Sequence, residues 1–223
     1  MKEYDDSIQM WNNEYSKCKL TDLSKKQLSV EPTFDICLDL FASQCKRVLD
    51  YGCGTGDILF QVYQFGNTDY GCGIDLSESG ITYAHKTAQL SHYPELDFVT
   101  GDISYFSQTE DETFDGIILS NVLDVTPREV AVHIFTELTR LLSKGGMMFV
   151  KLNPFLDEDT LEEYGLTRFK DNLFEEDGIL RLRELDTSQW RHAFEKHYTI
   201  ERYLEFPYPW QEGMNRLFLL RKN

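Results

Sequence analysis

The 223-residue chain has no cluster of Lys and Arg, no C-x-x-C pair, no apolar run of membrane-spanning length, no internal repeat and no Pro/Gly/Ser-rich linker. Each absence excludes a class of protein. With 38 acidic against 22 basic residues the formal charge is −16, and such a field repels a phosphate backbone unless a basic patch outweighs it. Nucleic acid is therefore a disfavoured partner. Cys18, Cys37, Cys45, Cys53 and Cys72 are odd in number and lack zinc-ligand spacing, so reduced thiols and no metal are expected. His192 and His197, five apart, do not share a helical face as two ligands would. The amino-terminal stretch MKEYDDSIQMWNNEY lacks a signal peptide's apolar core, which predicts a cytoplasmic location without a membrane partner.

What is present is an ordinary globular composition, 41% hydrophobic with 15 Phe and 12 Tyr, enough for one α/β domain with its own core. Short strands alternate with amphipathic helices. Lys46–Tyr51, Tyr70–Asp75, Leu96–Thr100, Phe114–Ser120 and Met147–Leu152 read as strands. Ile58–Phe65 is predicted as a helix stopped by Gly66, and Ser77 as the cap of a helix with Ile81, Ala84 and Ala88 on one face. His85 flanks that stripe as a packing residue, whereas His133 shares the solvated side of its helix with Glu137 and Arg140. Thr126-Pro127-Arg128-Glu129 predicts a helix start capped by Thr126, with Val130, Ile134, Leu138 and Leu141 buried and Gly145 at the end. Thr187 is placed as the cap of a helix carrying Trp190 and Phe194. Thr199–Phe206 and Asn215–Arg221, with no helix between them, are expected to pair antiparallel. Repeated β-α units imply a parallel sheet with right-handed crossovers and helices on both faces.

The most informative stretch is Val48-Leu49-Asp50-Tyr51-Gly52-Cys53-Gly54-Thr55-Gly56-Asp57. Glycines at alternate positions after a buried strand let a ligand approach the backbone closely. The dinucleotide fingerprint G-x-G-x-x-G would require glycine at position 57, where Asp57 stands and would repel a pyrophosphate. A ligand bearing ammonium and sulfonium groups suits an acidic site. Asp75, at the end of the second strand, lies about 20 residues beyond the loop, the separation expected of an acid that binds ribose hydroxyls.

The segment VLDYGCGTGDIL closely resembles motif I of class I S-adenosylmethionine-dependent methyltransferases. GIDLS, TGDI at Thr100–Ile103, FDGIILSNVLDVT and LLSKGGMMFVKLN resemble the family's next motifs in order, from about Lys46 to Asn153. The resemblance implies a Rossmann-like, doubly wound, seven-stranded sheet, mostly parallel with an antiparallel carboxy-terminal strand. It implies S-adenosyl-L-methionine as cofactor, S-adenosyl-L-homocysteine as product, and methyl transfer to an oxygen, nitrogen or sulfur of a small molecule. By the same resemblance Gly52, Cys53, Gly54 and Gly56 lie in the cofactor loop, which Asp50 supports. Asp75 takes the ribose hydroxyls, Leu76 covers the adenine, Asp102 and Ile103 contact its amine and ring, and Ser120 and Asn121 close the methionine end.

Many family members carry histidine where this chain has Asp124. Asp124 is the candidate proton acceptor, because it follows the fourth strand at the sheet's carboxyl edge; a turn cap before Thr126-Pro127 is its other reading. Within a single domain spanning 1–223, residues 1–45 are expected to form a helical lid and 46–152 the cofactor core. Residues 153–186 would be an insertion over the acceptor, and 187–223 a closing helix and hairpin. Trp11 and Tyr15, four apart on an amino-terminal helix, resemble a lid face and equally suit core packing. Phe155–Asp186 carries eleven acidic and four basic residues, and its Asp177-Gly178 pair signals a hairpin turn. Asn153-Pro154-Phe155 reads as a strand exit. Trp210, in Pro207-Tyr208-Pro209-Trp210, either lines the pocket or braces the last hairpin. Two rival readings use the same sheet: an NAD-dependent oxidoreductase, opposed by Asp57, and a non-catalytic S-adenosylmethionine-binding interaction module, which would expose an apolar patch on its lid.

Overall fold

The computed structural model describes residues 1–223. Five parallel strands, β1 (Arg47–Tyr51), β2 (Tyr70–Asp75), β3 (Leu96–Thr100), β4 (Phe114–Ser120) and β5 (Leu142–Leu152), join β9 (Tyr198–Pro207) and β10 (Met214–Lys222) in one sheet. Its order is β3-β2-β1-β4-β5-β10-β9. β10 is inserted between β5 and β9 and runs antiparallel to both, the expected doubly wound architecture with its reversed carboxy-terminal strand. A second sheet, β6 (Thr167–Lys170), β7 (Leu173–Glu176) and β8 (Ile179–Arg183), lies in the predicted insertion. Its hairpin turns at Asp177 and Gly178, φ 53° and 80°, the left-handed pair that a two-residue turn between twisted strands requires.

Strand alternation sends side chains to two cores. Leu49, Ile117, Leu119, Met148, Val150 and Phe218 pack with Ile134, Leu138 and Leu141 of α5 (Arg128–Leu141) and Trp190 and Phe194 of α7 (Thr187–Phe194). Val48, Ile118, Met147, Phe149, Leu217 and Leu219 face α2 (Pro32–Ala42), α3 (Asp57–Gln64) and α4 (Glu78–Ser91) on the other side. Burial on both faces explains why β4 and β5 are almost uninterrupted apolar runs.

Several local expectations change. Pro127 is the residue that caps α5, and the Thr126 hydroxyl donates back to the Val122 carbonyl at 3.0 Å; Thr126 tightens the preceding turn instead of capping the helix. The helix runs directly into β5 at Leu142, so Gly145, φ 73°, sits in a bulge of the strand and does not end the helix. Asp186, in place of Thr187, caps α7 through a reciprocal capping box with Gln189. His85 is exposed and packs against nothing in the core. The 1–45 segment is not one unit: α1 (Lys2–Tyr15) packs against β8 and α4, whereas α2 is a core helix, with Phe34 and Phe41 both fully buried. No helix is long and apolar enough to cross a membrane.

Phe149, fully buried, stacks edge-on with Phe34 at 5.4 Å and lies 5.8 Å from Phe41. Phe149→Ala is expected to cost about 3–5 kcal/mol, because α2 cannot collapse into the space of a lost ring. Urea unfolding checks this: the midpoint should fall with the slope unchanged.

Candidate functional site

The loop after β1 is folded by its glycines. Gly52, Gly54 and Gly56 take φ 74°, 54° and 82°, the left-handed region. Beyond conformation, each glycine leaves room for a neighbour. A Cβ on Gly54 would meet the Tyr15 hydroxyl at 2.7 Å, and one on Gly56 would meet the Phe98 ring at 2.8 Å. Gly54 therefore receives α1, and Gly56 serves packing beneath the loop. The loop is tied to β2 by Asp75, whose carboxylate accepts from the Gly54 and Ser77 N–H groups, both at 2.8 Å. A carboxylate offers about four lone-pair positions, so two remain for a ligand. Burial pushes the Asp75 carboxyl up, against those backbone donors. Asp50, 2% exposed, is pushed up to about 8 by burial and then by the charges of Asp75 and Asp57. Cys53 is likewise held as a neutral thiol by burial.

These residues line one end of a cavity of about 1060 Å³. Tyr4, Ser7, Ile8, Trp11 and Tyr15 of α1 form another wall, spaced as one face of a helix. Trp11 and Tyr15 stack at 5.7 Å, and Asn12 Oδ1 accepts from the Ser77 hydroxyl and the Ser79 N–H, both at 2.9 Å, pinning α1 to the start of α4. The insertion supplies Leu156, Tyr164, Leu166, Leu180 and Leu182. Ser120, Asn121 and Lys151 stand at the ends of β4 and β5, with Tyr208 beyond them.

The cavity thus brings together Asp50, Gly52, Cys53, Gly54, Asp75, Leu76, Ser120, Asn121, Trp11 and Tyr15. Gly56, Asp102, Ile103, Asp124 and Trp210 are not in its wall. Asp102 caps a short 3₁₀ turn, accepting from the Ser104 N–H at 2.8 Å, which holds its carboxyl below the usual range. Ile103 is buried in the core. Trp210, 69% exposed, stacks outward on Tyr208 at 4.7 Å and so braces the hairpin. Asp124 is fully buried: its Oδ2 accepts from the Asn153 N–H at 2.6 Å, and its carbonyl accepts from the Arg183 N–H at 2.7 Å. Asn121, φ 53°, turns the chain after β4, and Asp124 lies buried behind the wall that Val122, Val125, Thr126 and Asn153 form, clamping Asn153 and Arg183 by their backbones.

Sequence reasoning passed over Lys151. Its signal was a lone charge in the apolar run Met147–Leu152. Lys151 is 1% exposed, donates from Nζ to Asn121 Oδ1 at 2.6 Å, and lies 4.7 Å from the Tyr208 ring centroid. Burial pushes its amine down to about 8, partly opposed by the charge of Asp124. A second omission is the buried group under the insertion: Arg183 donates to the Leu123 carbonyl through Nε at 3.0 Å and lies over Trp190, while Arg216 donates to the Asn153 and Leu185 carbonyls. No group of three or more His, Cys, Asp or Glu side chains is placed to hold a metal ion.

Comparison with known proteins agrees with this geometry. A family described as a methyltransferase domain matches residues 42–196, more than half of the chain. The ubiquinone/menaquinone biosynthesis C-methyltransferase UbiE of Ruegeria sp. (strain TM1040) is 32% identical over 127 residues, 56% of this chain and 49% of that protein. The chain spans about half the length of the curated relatives it matches. Among solved structures, Burkholderia thailandensis 1,6-didemethyltoxoflavin-N1-methyltransferase, with bound 1,6-didemethyltoxoflavin and S-adenosylhomocysteine, superposes with TM-score 0.68 at 18% identity, covering 99% of this chain and 84% of that one. The N-methyltransferase NodS of Bradyrhizobium japonicum WM9, in complex with S-adenosylhomocysteine, gives 0.67 at 14% identity, covering 97% and 99%. By the family match and the shared seven-stranded fold, the chain belongs to the class I S-adenosylmethionine-dependent methyltransferases.

Proposed function

We propose that the protein transfers a methyl group from S-adenosylmethionine to a small molecule held under the insertion. The observation that carries this reading is the division of one cavity into two ends. Glycine loop, Asp75 and Leu76 furnish a nucleoside site, while the insertion and α1 enclose a second compartment with largely apolar walls. The residues suit the cofactor. Asp75 retains two acceptor positions for ribose hydroxyls, Leu76 is 38% exposed for a base to cover, and Ser120 and Asn121 stand between the two ends. Asp57 starts α3 and accepts from the Thr55 hydroxyl at 2.9 Å, leaving a carboxylate where a dinucleotide site needs a bare backbone.

Bound S-adenosylmethionine supplies an electrophilic methyl group, so the chain's own work is to orient the acceptor and exclude water. The roof of α1 and the second sheet serves both needs. The acceptor atom is an oxygen, nitrogen or sulfur, and the relatives named as C-methyltransferases admit carbon as well. A cationic or neutral small molecule fits a chain whose formal net charge is −16.

Calorimetric titration with S-adenosylmethionine, S-adenosylhomocysteine and NADH tests the reading: micromolar binding of the first two and none of the third is expected, and NADH binding alone overturns it. Asp75→Ala should weaken S-adenosylmethionine at least tenfold, about 1.4 kcal/mol, in a variant that unfolds at a temperature near that of the parent. Unchanged affinity removes Asp75 from the site.

Asp50 generates a pH dependence. Its carboxyl is raised from 3.8 to about 8, so the folded protein keeps a proton that the unfolded chain has released. Its contribution to stability is full below 3.8 and is lost as pH rises through about 8. A cationic ligand pairs better with the carboxylate, so S-adenosylmethionine affinity should rise as pH approaches about 8 and level off above it. Asp50→Asn should flatten both curves; urea unfolding and titration on either side of about 8 read the two effects, and a parent profile as flat as the variant's refutes the assignment.

A further inference from the structure

Lys151 is the one lysine in the cavity wall, and it is buried. It stands at the acceptor end, opposite Ser120 in the β4–β5 register, in a strand whose neighbours Val150 and Leu152 are fully buried. Its surroundings are specific. Asn121 Oδ1 faces Nζ because the other half of that amide, Nδ2, donates to Asn153 Oδ1 at 2.8 Å. The remaining near neighbour is the face of Tyr208. An ammonium has three donors, and this one meets a single oxygen and a ring, so it has room for one more oxygen on the cavity side. The charge acting on it is that of Asp124; the elements packed from α2 present Phe34 and other apolar side chains.

The compartment beside it excludes other roles. Its walls include Pro154, Leu156, Leu166, Leu180 and Leu182, which favour an apolar body. Two acids, Glu176 and Glu212, also line the cavity and are exposed to solvent; Arg181, in the same wall, pairs with Glu176 at 3.4 Å, which leaves Glu212 to oppose entry of an anion. An acceptor that arrives neutral and ionises only at Lys151 satisfies both conditions. An aliphatic alcohol is too weak an acid to give its proton to an amine, and a carboxylic acid arrives already charged.

We propose that Lys151 is the proton acceptor of the site and that its substrate is a neutral, apolar molecule carrying a weakly acidic hydroxyl, a phenol or an enol. This rests on the methyl-transfer reading of the same cavity. The hydroxyl O–H bond breaks, its proton passing to the lone pair of Lys151 Nζ in its neutral amine form and its electron pair staying on the acceptor, which the resulting ammonium then faces. The oxygen, or the carbon conjugated to it, then bonds to the methyl carbon as the carbon–sulfur bond breaks with its pair on sulfur. The ammonium returns its proton to water when product leaves. The low basicity that burial confers on the amine, about 8, lets it accept and release that proton near neutral pH.

para-Nitrophenol, whose phenol and phenolate absorb at different wavelengths, is the probe. Bound to the protein loaded with S-adenosylhomocysteine, it should ionise with a constant raised about tenfold or more over the free probe. In Lys151→Met, which keeps side-chain length without charge, the shift should vanish or reverse while S-adenosylhomocysteine still binds; a variant that loses S-adenosylhomocysteine assigns the amine to the cofactor's carboxylate and overturns the proposal. Lys151→Gln serves if the methionine variant does not fold, and the parent protein decides by itself if its bound probe is unshifted or does not bind. Failure of S-adenosylhomocysteine to bind the parent overturns the methyl-transfer reading. An unshifted probe in a protein that binds S-adenosylhomocysteine, or a shift that survives in the variant, overturns the role of Lys151 alone.

Discussion

A sheet covered on both faces leaves polar groups only one place to meet, the edge where its strands end. β1, β4 and β5 are enclosed by α2, α3 and α4 on one side and by α5 and α7 on the other, so a charge along their length would lie in a medium that penalises it by several kcal/mol. Asp50, Asp75, Ser120, Asn121 and Lys151 all sit in the last turns of their strands or just beyond. Their altered acidities follow from that location. Asp50 is held protonated and Lys151 made less basic by the same burial, and the two groups stand on neighbouring parts of one cavity.

The second structural constraint is the fastening of the insertion. Asp124, Arg183 and Arg216 are buried at its base, and nearly every bond they make is to a backbone group: the Asn153 N–H, and the carbonyls of Leu123, Asn153 and Leu185. Bonds of this kind fix the path of the chain. They hold the second sheet against the ends of β4 and β5, where its leucines wall the cavity, and they convert a stretch with net charge −7 on its many acids into a roof whose apolar face points inward. Glu184, pushed up to about 7 by burial, belongs to the same group. α1 completes the enclosure by setting Tyr15 against Gly54 and Asn12 against the start of α4.

The doubly wound sheet, the boundaries of its first four strands to within a residue, the reversed last strand, the glycine loop and the place of Asp75 were legible because each depends on neighbours within a few residues: an apolar run, a glycine at a left-handed position, a serine before a helix. Ser77 caps α4 as read, accepting from the Gly80 N–H at 3.0 Å. Misreadings arose where two local signals compete. Thr126 and Thr187 both look like caps, yet the adjacent Pro127 and Asp186 hold the position, since a proline there leaves the threonine hydroxyl free to bond backwards and a carboxylate outcompetes a hydroxyl for the N–H groups. Gly145 resembles a helix stop but serves a bulge in β5.

Local pattern by itself determined the fold class, the glycine-loop end of the cavity and the family, because periodicity and loop conformation are properties of contiguous residues. Tertiary structure alone decided which polar residues face the cavity. Asp124 and Lys151 illustrate the division. Both are charges next to the ends of buried strands, 27 positions apart in sequence, and nothing local distinguishes them. The left-handed turn at Asn121 precedes a buried Asp124, whereas the pleat of β5 points Lys151 toward Asn121 and Tyr208 in the cavity wall. The direction a side chain takes at a strand's end depends on what packs against that end, and here the packing partners are α1, the insertion and Tyr208, all distant in the chain.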